Sequence, residues 1–214
     1  MGRRAARVAA LGAVAAGAAL AAVGAKLYKT TTRREPVEVL PPQRLVPAQV
    51  RHIRSMDGLT LYGDVDPAPQ PSHRWALLIH GYRGDASDVG EAVKLYHAHG
   101  FNILAPDCRG HGRSEGKYIG MGWHDRLDML MWLDLLVTED PMARIVLHGV
   151  SMGGATVMMT AGETLPPQVK CAVEDCGYSS IVEEYDYQLY QLGHPYFHGL
   201  FMRSLDACCR RKAG

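Results

Sequence analysis

From residue 49 to about 180 the chain alternates short apolar runs with amphipathic stretches. Val50–Arg54 and Leu59–Val65 each alternate apolar and polar side chains, and Asp57-Gly58 between them is a hairpin signal. An antiparallel pair is therefore expected to open a sheet. Trp75-Ala76-Leu77-Leu78-Ile79 and Phe101-Asn102-Ile103-Leu104-Ala105 are nearly continuous apolar runs, as in strands covered on both faces. A helix is expected between them, from about Val89 to His99. From Trp123 to Val137, Leu127, Leu130, Met131 and Leu135 recur at helical spacing, which places Asp125, Asp128 and Asp134 off the apolar face. A run ending at His148, a small-residue helix from Met152 to Glu163 stopped by Pro166-Pro167, and a strand Val169–Val173 complete the pattern.

This alternation predicts an α/β fold: a mostly parallel sheet with helices on both faces, an N-terminal antiparallel hairpin, and a break after about the sixth strand. In such sheets ligands bind outside the carboxyl ends of the strands. The strand Val169–Val173 would be an uncovered edge, apolar on both sides. Beyond Gly177 the chain turns aromatic and irregularly helical, with Tyr185, Tyr187, Tyr190, Tyr196, Phe197 and Phe201.

The first residues follow a different pattern. Arg3, Arg4 and Arg7 precede an uncharged Ala/Gly/Val/Leu stretch, Val8–Ala25, closed by Lys26 and Lys29. As a helix it would span about 27 Å, enough for a thin bilayer core. A single-pass N-terminal membrane anchor is the expectation, with a cleaved signal peptide and secretion as the alternative. Charges flank both ends, so the side of the membrane is left open. The expected organisation is an anchor or signal segment at 1–29, a linker at 30–48, an α/β core at 49–178 and a helical cap-like region at 179–214.

Composition narrows the chemistry. The chain has 214 residues and a net charge of +1, with no basic stripe, so nucleic acid is not an expected partner. Five cysteines without paired spacing argue against a disulfide framework or a zinc site, and they are expected to be buried thiols. No metal or cofactor is expected, and the oligomeric state is left open.

Gly149-Val150-Ser151-Met152-Gly153 follows the β-branched run and precedes the small-residue helix. This is the setting of a nucleophile elbow, in which a serine is held in a strained strand-to-helix turn and flanking glycines leave room. His80-Gly81-Tyr82-Arg83-Gly84 follows the strand ending at Ile79, and Pro106-Asp107-Cys108-Arg109-Gly110-His111-Gly112-Arg113-Ser114-Glu115-Gly116 follows the next. With these three segments the chain resembles the α/β-hydrolase superfamily, and more narrowly the bacterial membrane-anchored hydrolases related to serine aminopeptidases and monoacylglycerol lipases.

The resemblance implies an acyl-enzyme on Ser151, formed from a small ester or amide substrate. It also implies an oxyanion hole made by the backbone N–H groups of Tyr82 and Met152. A serine at the elbow excludes the epoxide and haloalkane branches, which need an aspartate there. His80 and His111 are expected to shape loops, Asp107 to hydrogen-bond the glycine-rich loop, and Trp123 and His124 to pack or line the pocket. The family orders its triad Ser, acid, His. Here Asp175 is the candidate acid at a strand end, and His194 and His198 are the histidines after Ser151. Neither the usual acid nor the usual base position is present, so the chain reads as the N-terminal part of a hydrolase. The alternative is a non-catalytic truncated homologue with a binding or membrane-associated role.

Overall fold

The computed structural model describes residues 2–34, 49–191 and 198–213. The chain divides into two compact units, 34–179 and a second made of 1–33 with 180–214.

The larger unit holds a six-stranded sheet. Its strands are β1 (Gln49–Arg54), β2 (Thr60–Asp66), β3 (Arg74–Ile79), β4 (Asn102–Pro106), β5 (Arg144–Val150) and β6 (Val169–Asp175), in the order β1-β2-β4-β3-β5-β6. β2 runs antiparallel to both β1 and β4, while β4, β3, β5 and β6 are mutually parallel. The hairpin turn closes as its sequence predicts. Ser55 Oγ accepts the Leu59 N–H at 2.8 Å and donates to Asp57 Oδ1 at 2.6 Å, and Gly58 takes a φ of 85°.

Helices cover both faces: α2 (Gly90–Ala98) on one, and α3 (Asp125–Glu139) on the other beside α4 (Met152–Ala161). Ala76, Leu78, Ile103 and Ala105 point from β3 and β4 towards α2, where Val93, Tyr96 and Phe101 pack against them. On the opposite face Trp132 of α3 lies with Leu104 over Gly63, where a side chain larger than hydrogen would collide with the indole. Leu77, Leu104, Met129, Leu133 and Leu136 are fully buried. Each such side chain contributes about 2 kcal/mol of transfer free energy.

The face of α3 that enters the core differs from the expected one. Asp125, Asp128, Met129, Trp132, Leu133 and Leu136 are buried, whereas Leu127, Leu130, Met131 and Leu135 are only half-buried. The inner face follows the stripe Met129, Trp132, Leu133 and Leu136, at spacings i, i+3, i+4 and i+7, and Arg109 pairs with the Asp128 that this phase carries inward, as described below. The cysteines also depart from expectation, since Cys108 is buried but Cys171 and Cys176 are exposed and Cys208 is intermediate. Cys171 belongs to β6, which lies at the sheet edge and is exposed from Lys170 to Asp175.

The smaller unit consists of α1 (Gly2–Thr32), α5 (Ile181–Gln191) and α6 (His198–Ala213), with α6 packed on both others. Gly24 of α1 lies against the Ser204 backbone, where a Cβ would approach the carbonyl oxygen to 2.7 Å. α1 continues into residues expected to start a tether, and there Thr30, Thr31 and Thr32 bond their hydroxyls back to the carbonyls of Lys26, Leu27 and Tyr28 at 2.7–2.9 Å. Among the described residues no helix is long and apolar enough to cross a membrane, so the expected anchor finds no support in the fold. Most of the expected linker, residues 35–48, lies outside the described residues.

Candidate active site

Ser151 sits between β5 and α4 with φ 56° and ψ −117°, a backbone region that side chains other than glycine rarely adopt. The turn is held from both sides. The Ser151 N–H donates to the Asp175 carbonyl at 2.8 Å, and the Ser151 carbonyl accepts the Ala155 N–H at 3.0 Å. The tight crossing depends on two glycines: a Cβ at Gly149 would fall on the Gly153 carbonyl, and one at Gly153 on the Ile79 carbonyl. Ser151 is half-buried at the carboxyl end of the parallel strands, and Met152, the first residue of α4, is fully buried.

The loop after β3 stands beside this turn. A Cβ built on Gly81 would lie 3.5 Å from Ser151 Cβ and 4.0 Å from Oγ. Tyr82 follows, partly exposed, with the Arg83 guanidinium 5.1 Å from its ring centre. Sequence and fold thus bring Ser151, the Gly81-Tyr82 loop and the start of α4 together.

Asp107 shapes the loops, as expected. Its Oδ1 accepts the Ala86 N–H at 2.9 Å, and its Oδ2 accepts the Arg113 N–H at 3.1 Å and Nε at 2.8 Å. Gly112 packs so closely that a Cβ there would lie 2.5 Å from the carboxyl carbon. Arg113 also reaches the buried Asp64 at 2.8 Å. Held by two carboxylates, Arg113 stays protonated well above its ordinary range despite burial. His80 and His111 are buried between these loops and hydrogen-bond backbone groups. Trp123 is exposed and stacks under Arg126, whose Cζ is 3.7 Å from the ring centre. Partial burial, with Arg109 nearby, pushes His124 below its ordinary pKa.

Among the described residues no acid–histidine pair is assembled at Ser151. Asp175 ends β6, exposed, and among the described residues its carboxylate hydrogen-bonds no histidine. His194 lies outside the described residues; His198 opens α6, but its side chain is also outside them. Among the described residues no histidine or carboxylate side chain hydrogen-bonds the Ser151 hydroxyl. Two histidines that sequence reasoning passed over make other contacts. His73 pairs with Asp140 at 2.8 Å at the amino end of β3, away from Ser151, and His148 meets the Tyr96 hydroxyl at 3.2 Å.

Sequence reasoning also missed a charged cluster behind the glycine-rich loop. Arg109 pairs with buried Asp128 and with Asp57 of the hairpin turn, and these carboxylates keep it protonated despite burial. The signal was Asp57, read as a hairpin-turn residue, and Asp125 and Asp128 one helical turn apart, read as lying off the apolar face.

Residues 70–189 match the family model of the serine aminopeptidases, S33. The chain belongs to that family. Within the curated proteins, 123 residues are 26% identical to the uncharacterized protein YqkD of Bacillus subtilis, covering 57% of this chain and 40% of that protein. An 88-residue stretch is 33% identical to the multifunctional-autoprocessing repeats-in-toxin protein of Vibrio cholerae and covers 2% of it. The chain thus spans less than half the length of these two relatives. Among solved structures, the Pyrococcus furiosus esterase Pf2001 superposes with a TM-score of 0.60 at 21% identity, over 78% of this chain and 69% of that one. A Pseudomonas aeruginosa hydrolase gives 0.53 at 18% identity, over 69% and 54%. These likenesses establish the α/β-hydrolase fold for this family member.

Proposed function

We propose that the protein is a serine hydrolase of carboxylic esters or small amides. Ser151 Oγ attacks the substrate carbonyl, and the N–H groups of Tyr82 and Met152 hold the resulting oxyanion. The observation that carries this reading is the left-handed Ser151 turn, packed against Gly81 at the carboxyl end of the sheet. A fold accepts the steric cost of such a turn where surrounding contacts hold it, and these turns cluster at reactive sites. Two backbone donors in a water-poor site stabilise a tetrahedral oxyanion, each by about 3 kcal/mol.

The absence of a base on the Ser151 hydroxyl among the described residues favours a second reading, a homologue that binds but does not turn over. Without general-base assistance a serine hydroxyl is a weak nucleophile, and acylation slows by orders of magnitude.

Fluorophosphonate labelling of the full chain separates the two. The catalytic reading expects covalent modification at Ser151, lost in Ser151→Ala, together with hydrolysis of an activated ester. Folded protein that takes up no label overturns it and leaves the binding role.

A further inference from the structure

Two buried imidazoles that the proposed chemistry does not use fasten the loop carrying Tyr82. The rings of His80 and His111 lie edge to face, with centroids 4.9 Å apart and an interplanar angle of 72°. The polarity of their hydrogen bonds follows from the backbone partners. The Cys108 N–H lies 3.0 Å from His80 Nε2, so that nitrogen accepts, and Nδ1–H donates to the Gly81 carbonyl at 2.7 Å. The Arg83 N–H donates to His111 Nε2 at 3.1 Å, and His111 Nδ1–H donates to the Arg109 carbonyl at 3.0 Å. An amide N–H cannot accept and a carbonyl cannot donate, so both rings must be neutral with the proton on Nδ1. A second proton on either Nε2 sets one N–H against another.

The residue that His111 holds is itself strained. Arg83 has φ 61°, a left-handed conformation with a steric cost for any residue bearing a Cβ. Such a conformation persists where several contacts fix it. Here the Gly84 N–H bonds to the Gly81 carbonyl at 3.2 Å, Asp107 accepts from Ala86 just beyond, and His111 takes the Arg83 N–H itself. The turn so fixed is the one whose Gly81 packs on Ser151.

We infer that His111 is a positioning residue for the Gly81–Gly84 turn: by accepting the Arg83 N–H it holds the loop beside Ser151, and reaction at Ser151 depends on a neutral imidazole that never touches substrate. The inference rests on the hydrolase reading for its effect on rate, but not for its geometry. The charged and titratable groups acting on the pair are Asp107, Asp85 and Asp88 on His80, and His80, Asp107 and Arg34 on His111. Burial, with the neighbouring His80, outweighs the Arg109 carbonyl and Asp107 and pushes His111 down to about 4, so the ring is neutral through the physiological range.

The test uses the full chain, with His111→Phe, which removes the acceptor, and His111→Gln, whose Oε1 can replace it. The fluorophosphonate labelling rate at Ser151 is expected to fall about tenfold or more in His111→Phe, with reagent affinity unchanged, and to recover substantially in His111→Gln. Hydrogen exchange of the Arg83 amide should be slow in the wild type, fast in His111→Phe and slow again in His111→Gln. In the unsubstituted chain, nitrogen NMR should find His111 Nε2 unprotonated at neutral pH, a measurement that stands even if His111→Phe does not fold. A protonated Nε2, or an Arg83 amide exchanging alike in all folded forms, overturns the inference, as does an unchanged labelling rate in His111→Phe. If the wild-type chain takes no label, the hydrolase reading fails, and amide exchange with the NMR measurement still decides the role of His111.

Discussion

Arg109 grips Asp128 with two prongs of its guanidinium, Nε to Oδ2 and Nη2 to Oδ1, each at 2.7 Å, in a setting where the Asp128 side chain is 2% exposed. The outer edge of the same guanidinium reaches Asp57 in the hairpin turn at 3.0 and 3.1 Å. One cation thus ties the β1–β2 turn, the glycine-rich loop and α3 together.

Arg109→Met leaves Asp128 as a buried, unpaired carboxylate. Removing one partner of a buried pair costs about 3–5 kcal/mol. Urea unfolding at pH 7 should show that loss, and the double variant Arg109→Met/Asp128→Leu should regain much of it, because neither charge is then stranded. A single variant within about 1 kcal/mol of the wild type contradicts the role assigned to the pair.

Asp125 gives a pH dependence of defined sign. Its Oδ2 accepts the Gly122 N–H at 2.9 Å, but its buried Oδ1 has no hydrogen-bond partner among the described residues. Burial, followed by the neighbouring Asp128, raises the carboxyl to about 7, against the opposing effects of the Gly122 N–H and Arg109. Below the ordinary aspartate range, about 4, both folded and unfolded forms are protonated and the group costs nothing. As pH rises from there to about 7 the unfolded chain releases the proton first, so folding loses stability, roughly 4 kcal/mol in total, and the loss is complete above the folded pKa. The stability difference between wild type and Asp125→Asn should therefore shift in favour of the variant across this window and flatten above it. Chemical denaturation at a series of pH values measures the shift, and a difference independent of pH contradicts the assignment.

Ser151→Gly should be more stable than Ser151→Ala by about 1 kcal/mol. Alanine keeps the Cβ that makes φ 56° costly, whereas glycine adopts that region freely, and the relief exceeds the added unfolded-chain entropy. Both variants should fail to react with fluorophosphonate. Thermal unfolding of the pair checks the difference, and equal midpoints would mean that the turn stores no strain.

The strands and helices of the sheet unit were legible because their signals are local. Two alternating segments about the Asp57-Gly58 turn and four apolar runs predict β1–β6 nearly to their observed ends, and the Gly-x-Ser-x-Gly spacing marks the Ser151 turn. The phase of α3 was not legible. Leu127, Leu130, Met131 and Leu135 form a reasonable apolar stripe, yet the observed inner face runs through Asp125 and Asp128. Asp128 enters the core because Arg109, 19 residues earlier in the chain, meets it, while Asp125 is buried with only the Gly122 N–H on its carboxylate and its pKa is pushed up by burial. Cys171 was misjudged for a related reason, since burial of a thiol in β6 depends on what covers the sheet edge, and Cys176, just past that strand, is exposed with it.

The sequence by itself determined the α/β alternation, the antiparallel opening pair, and the identity of Ser151, Tyr82 and Met152 as candidate site residues. The alternation, the opening pair and Ser151 follow from periodicity, turn chemistry and motif spacing within a few residues, whereas Tyr82 and Met152 come from the family resemblance those motifs carry. Only the tertiary structure decided that Gly81 packs on Ser151, that His111 accepts the Arg83 N–H, and that Arg109 joins Asp57 to Asp128. Those contacts bridge 28 residues for His111 and Arg83 and 52 for Arg109 and Asp57. A hydrogen bond or ion pair between segments so far apart is set by how helices and loops dock on the sheet, and that depends on the packing of the whole unit.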